Sequence, residues 1–137
     1  MRTITICSSM QFKAEIIAAK VELESRGYTV LTPELSEKSN EYLSLPITEQ
    51  RAVKRTFIKN HFNRIAEADA ILVLNYEKKS IGGYIGSNTL MEIGVAASLD
   101  KKIYLLYPLY EQGCKEEVMA LATTILDGKL ATLNLSE

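Results

Sequence analysis

The chain has 137 residues and a mass of 15.3 kDa, with sixteen Lys and Arg against seventeen Asp and Glu, for a formal net charge of -1. That balance lacks the basic face a nucleic-acid polymer requires. No apolar run reaches the length of a bilayer-spanning helix, and 47% hydrophobic with 24% charged residues is a folding composition rather than a disordered one. Two cysteines and one histidine exclude a disulfide framework, a cysteine-rich zinc centre and a multi-histidine metal site within one chain. The expectation is a single α/β domain over 1–137 with no cofactor and no metal. It is expected in the cytoplasm, because the first residues run into a strand pattern and show no signal-peptide apolar region.

In chain order, residues 4–7 are short, β-branched and alternating, which predicts a strand. Ser8 and Gln11 have capping-box spacing before a helix over 12–26, with Ala14, Ile17, Ala18 and Val21 as its inward side. Gly27 stands where a left-handed helix end is wanted, and 28–31 is the next strand. Strand, helix and strand make a right-handed crossover unit. Residues 34–46 are polar and aperiodic and read as a loop. A long helix over 48–67 follows, with Val53, Phe57, Phe62 and Ile65 inward and Arg51, Lys54, Arg55 and Lys59 toward water. Asp69 reads as a turn residue or helix stop. Residues 70–75 are apolar enough for a central strand buried on both faces.

A glycine-containing loop spans 76–86 and a third helix 87–99. A fourth strand covers 102–107, stopped by Pro108, then a helix over 114–126 and a final edge strand over 130–135. The alternation predicts a single doubly wound, Rossmann- or flavodoxin-like parallel sheet of about 4–5 strands with helices on both faces.

In such sheets ligands bind beyond the carboxyl ends of the strands, here at residues 7–10, 33–46 and 75–86. The third loop runs through Gly82, Gly83, Tyr84, Ile85 and Gly86 into Ser87, Asn88 and Thr89. Its glycines permit close backbone approach, and the helix that follows offers free N–H groups to an anion. It is neither a Walker A motif nor a G-x-G-x-x-G fingerprint. Glu92, one turn into that helix, reads two ways: a nucleophile or acid/base group, or the carboxylate of a Thr89-x-x-Glu92 capping box. His61 shares the inward stripe of Phe57 and Ile65 and is either a core histidine or a proton carrier at the mouth of a site. Cys7 reads as a small buried hydrophobe at the strand end. Tyr84 is either a stacking surface for a base or an exposed loop aromatic.

The strand entry at Ala68 and Asp69, the run 70–74, the glycine loop, Asn88 to Ala96 with Glu92-Ile-Gly94, and the stretch 101–106 together resemble the nucleoside 2-deoxyribosyltransferase family. That family includes the 2'-deoxynucleoside 5'-monophosphate N-hydrolases. Cys7, Ser8 and Ser9 resemble its first loop, and the likeness extends over about residues 2–108. It implies that Glu92 attacks C1' of a deoxyribose and releases the base, the sugar passing to another base or to water. It also implies that Cys7, Ser8, Ser9, Tyr84, Gly86, Ser87 and Asn88 surround a nucleoside or its 5'-phosphate, and that a neighbouring subunit helps complete the site, so a homodimer or higher homo-oligomer is expected. The chain departs from the family at one place. Eight residues before Asp69, where the family usually carries an aspartate, stands His61, here a proton carrier or orienting group.

The glycine pair followed by Thr-x-x-Glu is also similar, more distantly, to the loop of the cytokinin-activating phosphoribohydrolases, without the leading proline. Both likenesses point to cleavage of an N-glycosidic bond. A non-catalytic nucleotide sensor of the same fold is the alternative that His61 supports.

Overall fold

The computed structural model describes residues 2–35 and 37–135. Met1, Ser36, Ser136 and Glu137, which fall in the expected N-terminal stretch, second loop and C-terminal segment, lie outside the described residues. The elements are β1 (Thr3–Cys7), α1 (Lys13–Ser25), β2 (Thr29–Leu31), α2 (Ile47–Glu67), β3 (Ala70–Val73), α3 (Ser87–Ser98), β4 (Lys102–Leu105), α4 (Lys115–Leu121) and β5 (Thr124–Ile125). Short 3-10 turns cover Met10–Phe12, Glu37–Ser44 and Leu130–Thr132. Among the described residues, no helix is long and apolar enough to cross a membrane.

The five strands form one all-parallel sheet in the order β2-β1-β3-β4-β5. The apolar alternation of each strand feeds two separate cores. Ile4, Ile6, Ala70, Leu72 and Tyr104 face Ile16, Ala19 and Leu23 of α1. Cys7, Ile71, Val73, Ile103 and Leu105 face Ile65 of α2, Ile93 and Ala96 of α3, and Val118 of α4. β3 is buried on both sides, as its unbroken apolar run requires. The sheet is therefore doubly wound, and its order reverses between β1 and β3, where such folds open a crevice. Asp69 closes the opposite end of that pair: its Oδ2 accepts from Thr3 N at 2.9 Å.

Four expectations are corrected. In α1, Ile16, Ala19 and Leu23 are buried, whereas Ile17 and Val21 are 44% and 62% exposed. That helix carries apolar side chains on two sides, so periodicity alone does not say which one faces the sheet. The N-cap of the first turn is Ser9, whose side chain accepts from Gln11 N; Ser8 instead donates from Oγ to Leu74 O at 2.9 Å. The Glu37–Ser44 part of the expected loop is a 3-10 turn.

The last helix ends at Leu121, and β5 is Thr124–Ile125 rather than 130–135. Thr123 Oγ1 accepts from Ile103 N at 2.8 Å, drawing the chain into the sheet early. Asp127 and Gly128 then adopt positive φ and turn it away. Leu133 and Leu135 pack onto the α1 side of the core. Arg2 and Arg26 donate to the carbonyls of Leu135, Leu130 and Leu133, which satisfies backbone groups that no strand partner reaches.

Candidate active site

The first and third loops leave the sheet side by side at the β1/β3 reversal, and the second loop closes over them from β2. They enclose a cavity of about 450 Å³ with α2 and α3 as its walls. Ser8 and Ser9 come from the first loop, Glu34 and Tyr42 from the second, and Asn75, Lys78 and Tyr84 from the third.

The third loop is held to the segment that follows β4, the strand beside β3. Asn75 donates from Nδ2 to Tyr107 O at 2.7 Å and accepts Tyr107 N on Oδ1 at 2.9 Å. Gln112 donates to Gly83 O and accepts from Ile85 N. Gly83 has φ +66°, and a Cβ there would stand 2.2 Å from Pro108 O, so glycine is required for the loop to pass this close.

α3 begins at Ser87 with Gly86 as its N-cap residue, and no side chain caps it. Thr89 is therefore inside the helix, and Thr89-x-x-Glu92 is not a capping box. The free N–H groups of the first turn open toward the cavity beside Ser87 and Asn88. Lys78 adds a cation from the third loop, donating from Nζ to Ser9 Oγ at 3.3 Å. Tyr84 lines the cavity, with Lys79 Nζ 5.5 Å from its ring centroid.

Three side chains from three elements meet at the cavity's inner end. His61 of α2 is 4% exposed, on the same helical face as Ile65. Arg64 Nη1 lies 3.5 Å from its Nδ1, so Nδ1 is the acceptor and Nε2 carries the hydrogen, which it donates to Ile6 O at 3.1 Å. Cys7 Sγ lies 3.7 Å and Glu92 Oε1 4.0 Å from that same Nε2. Cys7 is fully buried behind the cavity floor, while the Glu92 carboxylate opens into the cavity with 13% side-chain exposure.

Burial sets the protonation of all three. It pushes His61 down to about 4, helped by the Arg64 guanidinium and opposed by Ile6 O. It pushes Glu92 up to about 7, opposed by the Cys7 thiol, which donates to the carboxylate. Cys7 itself is held well above its usual range by burial first and by Glu92 second. Although Nε2 and Oε1 are at ion-pair distance, His61 is neutral at pH 7 and the contact is not an ion pair.

These two shifts bear on stability with opposite signs. Unfolded, His61 takes up a proton below its usual 6.5, and folded only below about 4, so its contribution is lost as pH falls through that window. Glu92 keeps its proton up to about 7 when folded but releases it near 4.5 when unfolded, so its contribution is lost as pH rises. Each amounts to about 3 kcal/mol across its window, and in the wild type they nearly cancel. Relative to wild type, Glu92→Gln should therefore gain stability from pH 4.5 to 6.5, and His61→Asn should lose it. Urea melts at three pH values read both slopes; parallel curves would contradict the assignment.

Sequence reading singled out Cys7, Ser8, Ser9, Tyr84, Gly86, Ser87, Asn88, His61 and Glu92, and all but Cys7 line this cavity; Cys7, placed around the substrate by the family resemblance, is fully buried behind the floor. It missed Asn75, Lys78, Arg64 and Tyr42. Arg64 was findable, because it lies three residues beyond His61 on the same helix. Asn75 follows directly on a buried strand and had a positional signal too.

No family model matches the chain, and no curated protein matches it. Among the solved structures that are similar to it, two share its fold over nearly its whole length. The 2-deoxyribosyltransferase from the psychrotolerant bacterium Bacillus psychrosaccharolyticus superposes with a TM-score of 0.70 at 16% identity, covering 98% of this chain and 93% of its own. The CMP N-glycosidase of Clostridium botulinum gives 0.56 at 18% identity, covering 98% and 99%. The chain has the 2-deoxyribosyltransferase-like fold that its motifs resemble.

Proposed function

We propose that this chain, built on a 2-deoxyribosyltransferase-like fold, is an enzyme that cleaves the N-glycosidic bond of a nucleoside or nucleoside 5'-monophosphate, with Glu92 as nucleophile. The observation that carries the reading is the Glu92 carboxylate itself. Of the two carboxylates among the described residues that line the cavity, Glu34 is exposed, whereas Glu92 is shielded from bulk water at 13% side-chain exposure. The fold shared with a deoxyribosyltransferase and a CMP N-glycosidase supports the same reading.

A carboxylate suits this chemistry because the transition state at C1' is oxocarbenium-like and a nearby anion stabilises it. In the first step Glu92 forms a bond to C1' as the C1'–N bond breaks. The base leaves with that bond's electron pair and takes up a proton. In the second step water or another base attacks C1' and frees the carboxylate. His61, neutral and with Nε2–H directed to Ile6 O, is an orienting group in this scheme rather than the proton carrier. The N-terminus of α3, Ser87, Ser9 and Lys78 form one polar, cationic end of the cavity, which suits a 5'-phosphate.

A second reading, a nucleotide sensor without chemistry, is favoured by His61 standing where the resembled family has an aspartate. One experiment separates the two. The protein is incubated with a panel of nucleosides and 5'-monophosphates, with and without a second free base, and the products are separated chromatographically. Free base supports hydrolysis, and a new nucleoside formed only with the second base supports transfer. Intact nucleotide with a raised melting temperature supports the sensor and overturns the enzyme.

A further inference from the structure

We propose that Cys7, His61 and Glu92 form a site for a divalent cation of zinc's type, and that an ion bound there silences the enzyme by taking Glu92. The inhibitory half rests on the function proposed above; the binding half does not. Counting residues hides such a site, since one histidine excludes only the multi-histidine kind. The fold supplies a mixed set instead: a thiol from the end of β1, an imidazole from α2 and a carboxylate from α3, with one donor atom each and all three atoms within 4.8 Å of one another.

The separations are close to those around a small tetrahedral ion. Ligands about 2.0–2.3 Å from zinc stand roughly 3.3–3.8 Å apart. Sγ to Nε2 is 3.7 Å, inside that range, and Nε2 to Oε1 is 4.0 Å, so the Glu92 carboxylate moves inward by a few tenths of an ångström to bind. Sulfur, imidazole nitrogen and carboxylate oxygen are the donor types zinc takes, and three protein ligands leave a fourth position. That position faces the cavity that His61 and Glu92 line, which is also the ion's way in. A thiolate and a carboxylate together cancel the charge of a divalent ion, so the buried cluster stays neutral.

Proton balance follows from the tautomer. The Cys7 thiol loses its proton to solvent, and so does Glu92 where it is protonated. The imidazole hydrogen moves from Nε2 to Nδ1, which frees the Nε2 lone pair. The ring turns so that Nε2 leaves Ile6 O, to which it now donates at 3.1 Å, and faces Cys7 and Glu92, while Arg64, 3.5 Å from Nδ1, swings into the cavity it already lines. Water completes the coordination. With its oxygen on the metal, Glu92 no longer reaches C1'.

Cobalt(II) reports the site without relying on activity. Titrated into the full chain, it should give a thiolate-to-cobalt charge-transfer band and the intense visible bands of a tetrahedral ion at one equivalent. Zinc should bleach both. The bands should survive Cys114→Ser, which removes the other thiol, and be lost in Cys7→Ser and in His61→Asn. Should Cys7→Ser fail to fold, His61→Asn and zinc displacement answer the same question. In parallel, zinc should abolish base release and a chelator should restore it. Weak octahedral bands only, or bands lost with Cys114→Ser, would overturn the site. Full cobalt bands with undiminished base release would overturn the inhibition. A metal-free protein that releases no base from any substrate would sink the proposed function, while the cobalt spectrum would still decide the site.

Discussion

Glu92→Gln is expected to lower the rate of base release by on the order of 10³-fold or more, because it removes the nucleophile and the anion opposite the developing positive charge together. The substitution isolates chemistry from folding. Glutamine has nearly the shape of glutamate, its amide oxygen still accepts from the Cys7 thiol, and no buried negative charge remains to be solvated. The variant should fold, bind nucleotide and raise the melting temperature as the wild type does, yet leave the substrate intact. Chromatographic rates for both proteins at saturating substrate are the check. Residual turnover within a few-fold of wild type would remove Glu92 from the mechanism.

The second large effect is in the pH profile. Only the ionised carboxylate attacks C1', and burial pushes Glu92 up to about 7. Below that value the active fraction should fall about tenfold for each pH step, so kcat/KM should climb from pH 5 to a plateau above about pH 8. An ordinary exposed glutamate would place the bend near 4.5 instead. His61 contributes no bend in this range, since burial and Arg64 hold it neutral down to about 4. A nucleoside is the better substrate for this measurement, because a phosphate's second ionisation lies close to the expected bend. A flat profile from pH 5 to 8 would mean that Glu92 is ionised throughout and that its burial has no kinetic consequence.

Much of this architecture is legible in the sequence because it depends on short, local patterns. Ala70 to Val73 is apolar without interruption and became the strand buried on both faces. Gly27 marks the end of α1 with φ +92°. The rule that parallel sheets bind ligands beyond their carboxyl ends was enough to select the three loops that enclose the cavity. The misreadings share another cause: they needed contacts between distant parts of the chain. Ile17 and Val21 have the right spacing for a buried stripe, but Ile16, Ala19 and Leu23 have it too, and only the sheet decides between them. The early entry of β5 depends on Thr123 meeting Ile103 across the sheet edge. Thr89 and Glu92 have capping-box spacing, but the helix starts two residues before Thr89.

The site itself shows the same division. Glu92 and His61 were each identifiable, and each had a bland reading beside the chemical one. What gives them meaning is that β1, α2 and α3 bring the donor atoms of Cys7, His61 and Glu92, spread over the chain from position 7 to position 92, within 4.8 Å of one another. Burial there raises the carboxylate and lowers the imidazole, Arg64 and Ile6 O keep that imidazole in one tautomer, and the thiol donates to the carboxylate and holds part of its rise back. None of these states belongs to a residue read alone.

The most direct test of Glu92 as nucleophile is to trap the sugar on it. Fluorine at C2' of the sugar destabilises the oxocarbenium-like transition states of both steps, so a fluorinated nucleoside with a good leaving base forms the glycosyl-enzyme faster than it is released. Intact-protein mass spectrometry should then show one added fluorinated pentose per chain, and peptide mapping should place it on Glu92. Base released with no adduct, or an adduct on another residue, would contradict the account.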